Sequence, residues 1–226
     1  MHIPVIFEDK NILVINKPSG IVIHPFDNST EETLVDFLAE KYPSIFEIEN
    51  KIILQDGRTI ELGGIVHKLD RETSGVIVIA KTKEIFDELK EQFTNHSIKK
   101  IYIAVVEGNI KENNFIINAP LGRNKKDYKQ QVNPANPRGE LREAITEVAV
   151  IKRNENTTLV KLIPKTGRTH QLRAHMTYLG NPIVGDIAYG SKIKSERIML
   201  HAFNLKFKIG EKDFEFEVEV PENFLN

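Results

Sequence analysis

Apolar positions in this chain fall either into short continuous runs or into stripes at helical spacing, and the two kinds of pattern alternate along the sequence. Ile12-Leu13-Val14-Ile15 is too short a run for a helix and is rich in β-branched residues, so it reads as a buried strand. Asn16-Lys17-Pro18-Ser19-Gly20 ends it with turn chemistry, and Ile21-Val22-Ile23 reads as the returning strand. Ser29 and Glu32 stand at capping-box spacing ahead of Leu34, Phe37, Leu38 and Tyr42, which predicts a helix from about Thr30 to Tyr42. Val76 to Ala80 is a second buried strand. Ile85, Phe86, Leu89 and Phe93 form the stripe of a helix that Thr82 can cap. Ile101 to Val106 is a strand closed by Glu107-Gly108-Asn109, with Tyr102 and Ala104 on one face and Ile101, Ile103 and Val105 on the other. Ile145–Ile151 and Thr158–Ile163 read as a strand pair joined through Asn154-Glu155-Asn156. Leu172, Met176 and Leu179 mark a helix from near Thr169 to Gly180-Asn181-Pro182. Phe214, Phe216, Val218 and Val220 alternate with Glu215, Glu217 and Glu219, a one-sided strand with an acidic outer face. Strands outnumber helices and several are hairpin-linked, so the expected class is α+β with a mostly antiparallel sheet.

Composition narrows the chemistry. The 226 residues suffice for one large core or two small ones. The absence of Cys excludes a disulfide framework, a thiolate metal site and a Cys nucleophile. No apolar run approaches the ~20 residues of a membrane span, and Met1-His2-Ile3-Pro4 lacks the features of a signal peptide, so a cytoplasmic location is expected. Net charge is only −1, but its distribution is uneven. Lys99 to Arg173 holds 15 Lys/Arg against 7 Asp/Glu, a net of +8, while the remainder carries −9. A basic middle between acidic ends suits phosphate binding, although a basic solvated face gives the same count.

Three segments resist a pure packing explanation. From His67 to Glu72 every place but Leu69 is ionisable, with Gly63-Gly64 before it, Gly75 after it and a buried strand following. A polar loop on a rigid strand is how active sites hold side chains, though ordinary loops share the pattern. Pro164-Lys165-Thr166-Gly167-Arg168-Thr169-His170-Gln171-Leu172-Arg173 runs from a strand through a Gly turn into a helix start, which brings backbone N–H groups and cations to one place and favours an anion. In Lys99-Lys100-Ile101-Tyr102, the tyrosine is either a core aromatic or a ring presented to a ligand. His170 and His175 are five apart with no acid placed as in a metalloprotease helix, so hydrogen bonding, and no metal, is expected of them.

Together, and in this order, the segments resemble the RluA-type family of RNA pseudouridine synthases. Val14-Ile15-Asn16-Lys17-Pro18-Ser19-Gly20 is similar to the family's entry strand and turn. His67-Lys68-Leu69-Asp70 with Thr73-Ser74-Gly75 is similar to its catalytic-aspartate motif. Lys100, Tyr102 and Ala104, closed by Gly108, resemble its tyrosine strand, and Gly167-Arg168-Thr169-His170-Gln171-Leu172-Arg173 the motif of its basic partner. Gly185-Asp186 with Tyr189-Gly190, and Leu200-His201-Ala202, resemble two further segments. The resemblance implies one catalytic domain over residues 1–226, without the S4 RNA-binding module of many relatives. The implied fold is a mixed, mostly antiparallel central sheet with flanking helices and an active-site cleft across the sheet. It implies Asp70 as nucleophile, Arg168 as its ion-pair partner and Tyr102 stacked on the extruded base. It implies RNA contacts from His67, Lys68, Arg71, Thr73, Lys100, Lys165, Thr169, His170, Gln171 and Arg173. Lys99, Arg123, Lys125 and Lys126 are further candidates for phosphate. One position departs from the family pattern: Lys68 stands where an Arg is usual, and an ammonium cannot stack as a planar guanidinium does.

Pseudouridine formation breaks the N1–C1′ bond, turns the uracil and joins it to C1′ through C5. Nothing is oxidised and no group is lost, so no cofactor is expected. A carboxylate can stabilise or trap an electron-poor C1′, and the base must first leave its stack. RNA, with rRNA ahead of tRNA, is the expected partner of a monomer that needs no membrane and no obligate protein partner. Two other readings compete: a hydrolase of N-glycosidic bonds using Asp70 with Glu72, and an RNA-binding protein without catalysis.

Overall fold

The computed structural model describes residues 1–25, 31–54, 57–124, 130–132 and 137–224. The expected Ser29 cap lies outside them, as do Lys125 and Lys126. The chain forms two compact units: Met1–Ile98 with Asn204–Val218, and Lys99–Phe203 with Glu219–Asn226.

The first unit opens with β1 (Val5–Glu8) and β2 (Ile12–Lys17), paired antiparallel with Phe7 opposite Val14. Two elements expected next are absent as read. Ile21–Ile23 is not a strand; the carbonyls of Val22 and Ile23 instead accept from the N–H groups of Leu34 and Val35 and so cap the next helix. That helix, α1 (Leu34–Lys41), begins later than the Ser29 spacing suggests, because Thr33 and Asp36 form the capping box. A small antiparallel pair follows, β3 (Lys51–Ile53) with β4 (Thr59–Glu61). β5 (Ser74–Ala80) lies antiparallel to β2, with Ile77 opposite Ile15, and all seven of its residues are buried. The β-branched run Val-Ile-Val-Ile fits a strand covered on both faces. α2 (Lys83–Thr94) starts at Thr82, whose hydroxyl accepts from Ile85 N–H, and packs on β5 through the expected stripe.

The second unit begins with β6 (Lys99–Glu107) and β7 (Asn114–Asn118). A three-stranded sheet of β8 (Leu121–Asn124), β9 (Gln130–Val132) and β10 (Pro137–Arg142) follows, with β8 in the middle. β11 (Ile145–Arg153) and β12 (Thr157–Pro164) form the expected hairpin, closed by Asn154 N–H on the Thr157 carbonyl. The hydrogen-bonded order β6-β12-β11-β7 is antiparallel throughout. α3 (Gln171–Tyr178) packs Leu172 and Met176 onto Ala104, Val106, Val160 and Leu162. Burying each such side chain contributes roughly 1.5–3 kcal/mol.

The long strand β13 (Leu200–Ile209) is divided by the sequence boundary, its residues from Asn204 onward belonging to the first unit. There it pairs with β14 (Lys212–Glu217), Phe207 opposite Phe214. β14 stops short of Val218 and Val220, and its inner face is aromatic: the Phe207 and Phe214 rings stack at 5.7 Å, and the Phe7 ring lies 5.3 Å from that of Phe216. The hairpin is tied to α2, where Gln92 bonds Lys208 N–H and carbonyl and Glu88 accepts from Gly210 N–H. The class is α+β with mostly antiparallel pairing, as the pattern predicts, and the described residues form three α-helices.

Candidate active site

In the first unit the polar loop is clamped between β5 and the N-terminal turn. Gly64 lies so close to β5 that a Cβ there would meet the Ala80 carbonyl oxygen at 1.8 Å, and its own carbonyl accepts from Ala80 N–H at 2.9 Å. Only glycine allows that approach. Asn50 Nδ2 donates to the carbonyls of Gly63 and Ile65, both at 2.9 Å. His67 accepts from Val78 N–H at 3.1 Å through Nε2, which fixes its ring proton on Nδ1 when neutral, and its ring stacks 4.4 Å from Phe93. His67 therefore anchors the loop to β5 and α2.

The far end of the loop is held from β2. Lys17 is fully buried, and its ammonium donates to the carbonyls of Pro18, Ile21 and Arg71 at 2.8, 2.8 and 3.0 Å. Ser19 Oγ donates to the Glu72 carbonyl at 2.7 Å, and Gly20 N–H to the Arg71 carbonyl at 2.9 Å. Between these clamps sits Asp70, half-buried, its carbonyl accepting from Thr73 N–H at 3.1 Å. Thr73 is itself buried. Lys17 lies in the entry-turn motif, where the sequence alone assigns it no task; the signal for one is an ammonium ending a largely apolar buried run.

Two cations flank Asp70 in sequence. Arg71 reaches outward to Glu31 at 3.1 Å and Glu72 at 3.5 Å, all of them well exposed. Glu72 is thus engaged with Arg71 rather than set as a partner acid. Lys68 donates to His24 Nε2 at 3.1 Å. Burial and the nearby charge of Lys90 lower the Lys68 pKa. His24 is pushed below its usual value by burial, with Lys68 adding to the effect and the Pro25 carbonyl opposing it.

The second unit carries Tyr102 and Arg168. Tyr102 is half-buried on β6, against the same cluster as Ala104 and Val106, while Ile103 and Val105 face another core, the alternation the sequence predicts. Lys100, two residues earlier, has its pKa lowered by burial. Arg168 stands half-exposed on the turn between β12 and α3, its Nε donating to the Glu143 carbonyl at 3.0 Å. Thr169 is exposed beside it. Lys165 pairs with Glu147 at 3.0 Å on the surface.

Two residues expected at the RNA are used inside the protein instead. Gln171 is buried, and all four of its amide sites are filled. Oε1 accepts from the Thr166 hydroxyl at 2.7 Å and Arg168 N–H at 3.1 Å; Nε2 donates to the Ile145 carbonyl and Thr146 Oγ1, both at 3.0 Å. The network runs on from Thr146 to His175 Nδ1 at 2.9 Å, and from His175 Nε2 to the Ala119 carbonyl at 3.0 Å. Burial lowers the His175 pKa, with the Ala119 bond opposing. Arg173 is likewise buried, in a two-pronged pair with Asp186 at 2.7 and 2.9 Å, so it is no exposed phosphate clamp. Gln171 holds the turn that carries Arg168 through the Arg168 N–H and Thr166 hydroxyl. His170 bonds Tyr189 Oη at 3.0 Å.

Residues 11–178 match the family of RNA pseudouridylate synthases. The chain is 37% identical over 227 residues to ribosomal large subunit pseudouridine synthase D of Borreliella burgdorferi, covering 99% of this chain and 67% of that protein. It is 33% identical to the synthase of the same name from Zymomonas mobilis, covering 97% and 69%. Among solved structures, human RNA pseudouridylate synthase domain containing 1 superposes with a TM-score of 0.78 at 25% identity, over 96% of this chain and 83% of that one. The chain belongs to the RNA pseudouridine synthase family. It is an isomerase acting on RNA, of the RluA type that the motif order suggested.

Proposed function

We propose that this enzyme converts uridine to pseudouridine in large-subunit rRNA, with Asp70 as nucleophile, Arg168 as its counter-charge and Tyr102 stacked on the extruded base. The observation that carries the reading is the double clamp on the Asp70 loop. A carboxylate that attacks or stabilises C1′ must be held in one orientation. Lys17, Ser19 and Gly20 fix the backbone just after Asp70, while Gly64 and His67 fix it just before. The choice of rRNA follows the names of the relatives. Lys68, Lys100, Lys165 and Thr169 contact the flanking RNA in this reading, and the enzyme works as a cytoplasmic monomer.

The C5 hydrogen is exchanged for the C5–C1′ bond, so RNA carrying tritium at uridine C5 releases label to water on turnover. Release without chain cleavage and without free uracil is expected. A glycosidase would liberate uracil and leave an abasic site, and a binding protein would do neither. Asp70→Asn keeps the shape and removes the charge, so it abolishes release while leaving fold and RNA binding intact. Release at the parent rate by that variant overturns the assignment. Carbodiimide mapping of RNA from cells lacking the enzyme names the target, and a lost site in tRNA rather than rRNA corrects the substrate.

A further inference from the structure

α3 begins abnormally. A residue at a helix N-cap is normally extended, with a side chain that accepts from the first turn. His170 occupies this place with φ 53° and ψ 21°, in the left-handed region, and makes no side-chain cap. Among the described residues the other non-glycine with positive φ is His96, just past the end of α2, where left-handed backbone is the common helix stop. At a helix start no such habit applies, so His170 is held in its conformation by its surroundings.

The holding groups form a chain of contacts within the second unit. His170 Nδ1 lies 3.0 Å from Tyr189 Oη. Tyr189 is buried against Leu121, Ala144 and Ala174, and its ring lies under the Arg173 guanidinium at 4.6 Å. Arg173 is locked to Asp186, which is fully buried. Asp186 in turn accepts Tyr189 N–H on its backbone carbonyl at 3.0 Å, and Thr177 Oγ1 donates to the Tyr189 carbonyl at 2.9 Å. A buried ion pair adds little stability over apolar residues of equal volume, but it fixes orientation. Here it fixes a phenol.

We propose that Tyr189, seated by the Arg173–Asp186 pair, is a positioning residue for the isomerisation: its hydroxyl holds His170 in the left-handed conformation and so aims the turn that presents Arg168. The inference rests on Arg168 belonging to the active site, as proposed above. Gln171 grips the same turn from the other side, through Arg168 N–H. Arg168 is thus set between two anchors, one an amide and one a phenol acting through a strained backbone. A small rotation of the turn moves the guanidinium away from its working place, and such misplacement reduces turnover by about tenfold to a hundredfold.

The test uses the full chain and RNA tritiated at uridine C5. Tyr189→Phe is expected to lower kcat by about tenfold or more while KM for RNA changes by less than about twofold. His170→Gly removes both ring and strain, so it should melt no lower than the parent yet show a similar fall in kcat. The double variant should be no slower than the slower single, because both break one link. A Tyr189→Phe enzyme with parental kcat, a His170→Gly enzyme with parental kcat, or effects that multiply would each overturn the proposal. If the parent releases no tritium from any RNA, the reading of function fails separately. The anchor is then decided by amide hydrogen exchange in the RNA-free protein. Faster exchange at Arg168 and Thr169 in Tyr189→Phe supports it, and unchanged exchange rejects it.

Discussion

Lys17 and Arg71 stand 54 positions apart in the chain, and the ammonium of the first donates to the backbone carbonyl of the second at 3.0 Å. One buried cation thereby joins β2 to the residue following Asp70. Replacing it with methionine keeps the volume and takes the ammonium from three carbonyls, of which that of Arg71 keeps the Gly20 N–H. Each unsatisfied group costs about 1–3 kcal/mol, so with the Pro18 and Ile21 carbonyls left bare Lys17→Met should lose about 2 kcal/mol or more by denaturant unfolding. It should also lose most tritium release. A change within about 0.5 kcal/mol, the range for a surface lysine, would remove Lys17 from the frame of the site.

Gly64 and Gly167 both flank functional loops and should respond oppositely to one methyl group. A Cβ at Gly64 meets backbone oxygen at 1.8 Å, whereas one at Gly167 meets nothing within 4 Å. Gly64→Ala must push β5 aside and should unfold the protein or lose more than about 4 kcal/mol, the range of severe core changes. Gly167→Ala should stay within about 1 kcal/mol of the parent. Thermal melts of the two variants check the contrast, and equal melting temperatures would show that the approach to Ala80 relaxes freely.

Tyr102→Phe separates ring from hydroxyl. The half-buried ring packs with Ala104 and Val106 in either form, so fold and melting temperature should hold. If the hydroxyl takes part in proton transfer, kcat falls by about 10²-fold or more, while RNA affinity by filter binding is unchanged. Parental kinetics would leave Tyr102 a packing residue only.

Stability should fall on mild acidification. The folded-state pKa values of His175 and His24 are both lowered from 6.5, chiefly by burial. A group depressed on folding binds fewer protons in the folded state than in the unfolded one. Its contribution is therefore fully present above pH 6.5 and is lost as pH falls below that value toward the folded pKa. Unfolding free energy measured from pH 7.5 to pH 5 should decline with a slope that His24→Gln reduces only in part. A flat profile would mean that the buried Thr146–His175–Ala119 chain accepts a proton without penalty.

The strands at Ile12–Ile15 and Val76–Ala80 were legible because continuous β-branched runs have few other uses. β13 was not, because His201 and Asn204 are buried in it as polar residues and disturb the apolar pattern. β7 holds only Phe-Ile-Ile between two asparagines, too short a signal to read. The helix start at Thr33 was missed because two cap sequences overlap, and only the carbonyls of Val22 and Ile23 distinguish them. For the site, motif order points to Asp70, Tyr102 and Arg168, the residues proposed above. Direction was not legible: Gln171 and Arg173 have the chemistry of RNA contacts, and only Thr166, Thr146 and Asp186, brought near by the fold, show that they face inward. Lys17 shows the same limit in reverse, since its task needs β2 beside β5.

The hairpin β13–β14 closes the first unit with residues made long after the Asp70 loop, bound to α2 through Gln92 and Glu88. Its aromatic lining also packs on Phe7, which is made well before it. On the ribosome, the Asp70 loop, with Lys17 and Gly64 at its two ends, emerges long before this closure is possible. The unit bearing Asp70 therefore lacks part of its fold until residues 204–218 have left the exit tunnel. A stop codon before position 204 thus leaves the Asp70 loop encoded yet its unit incomplete.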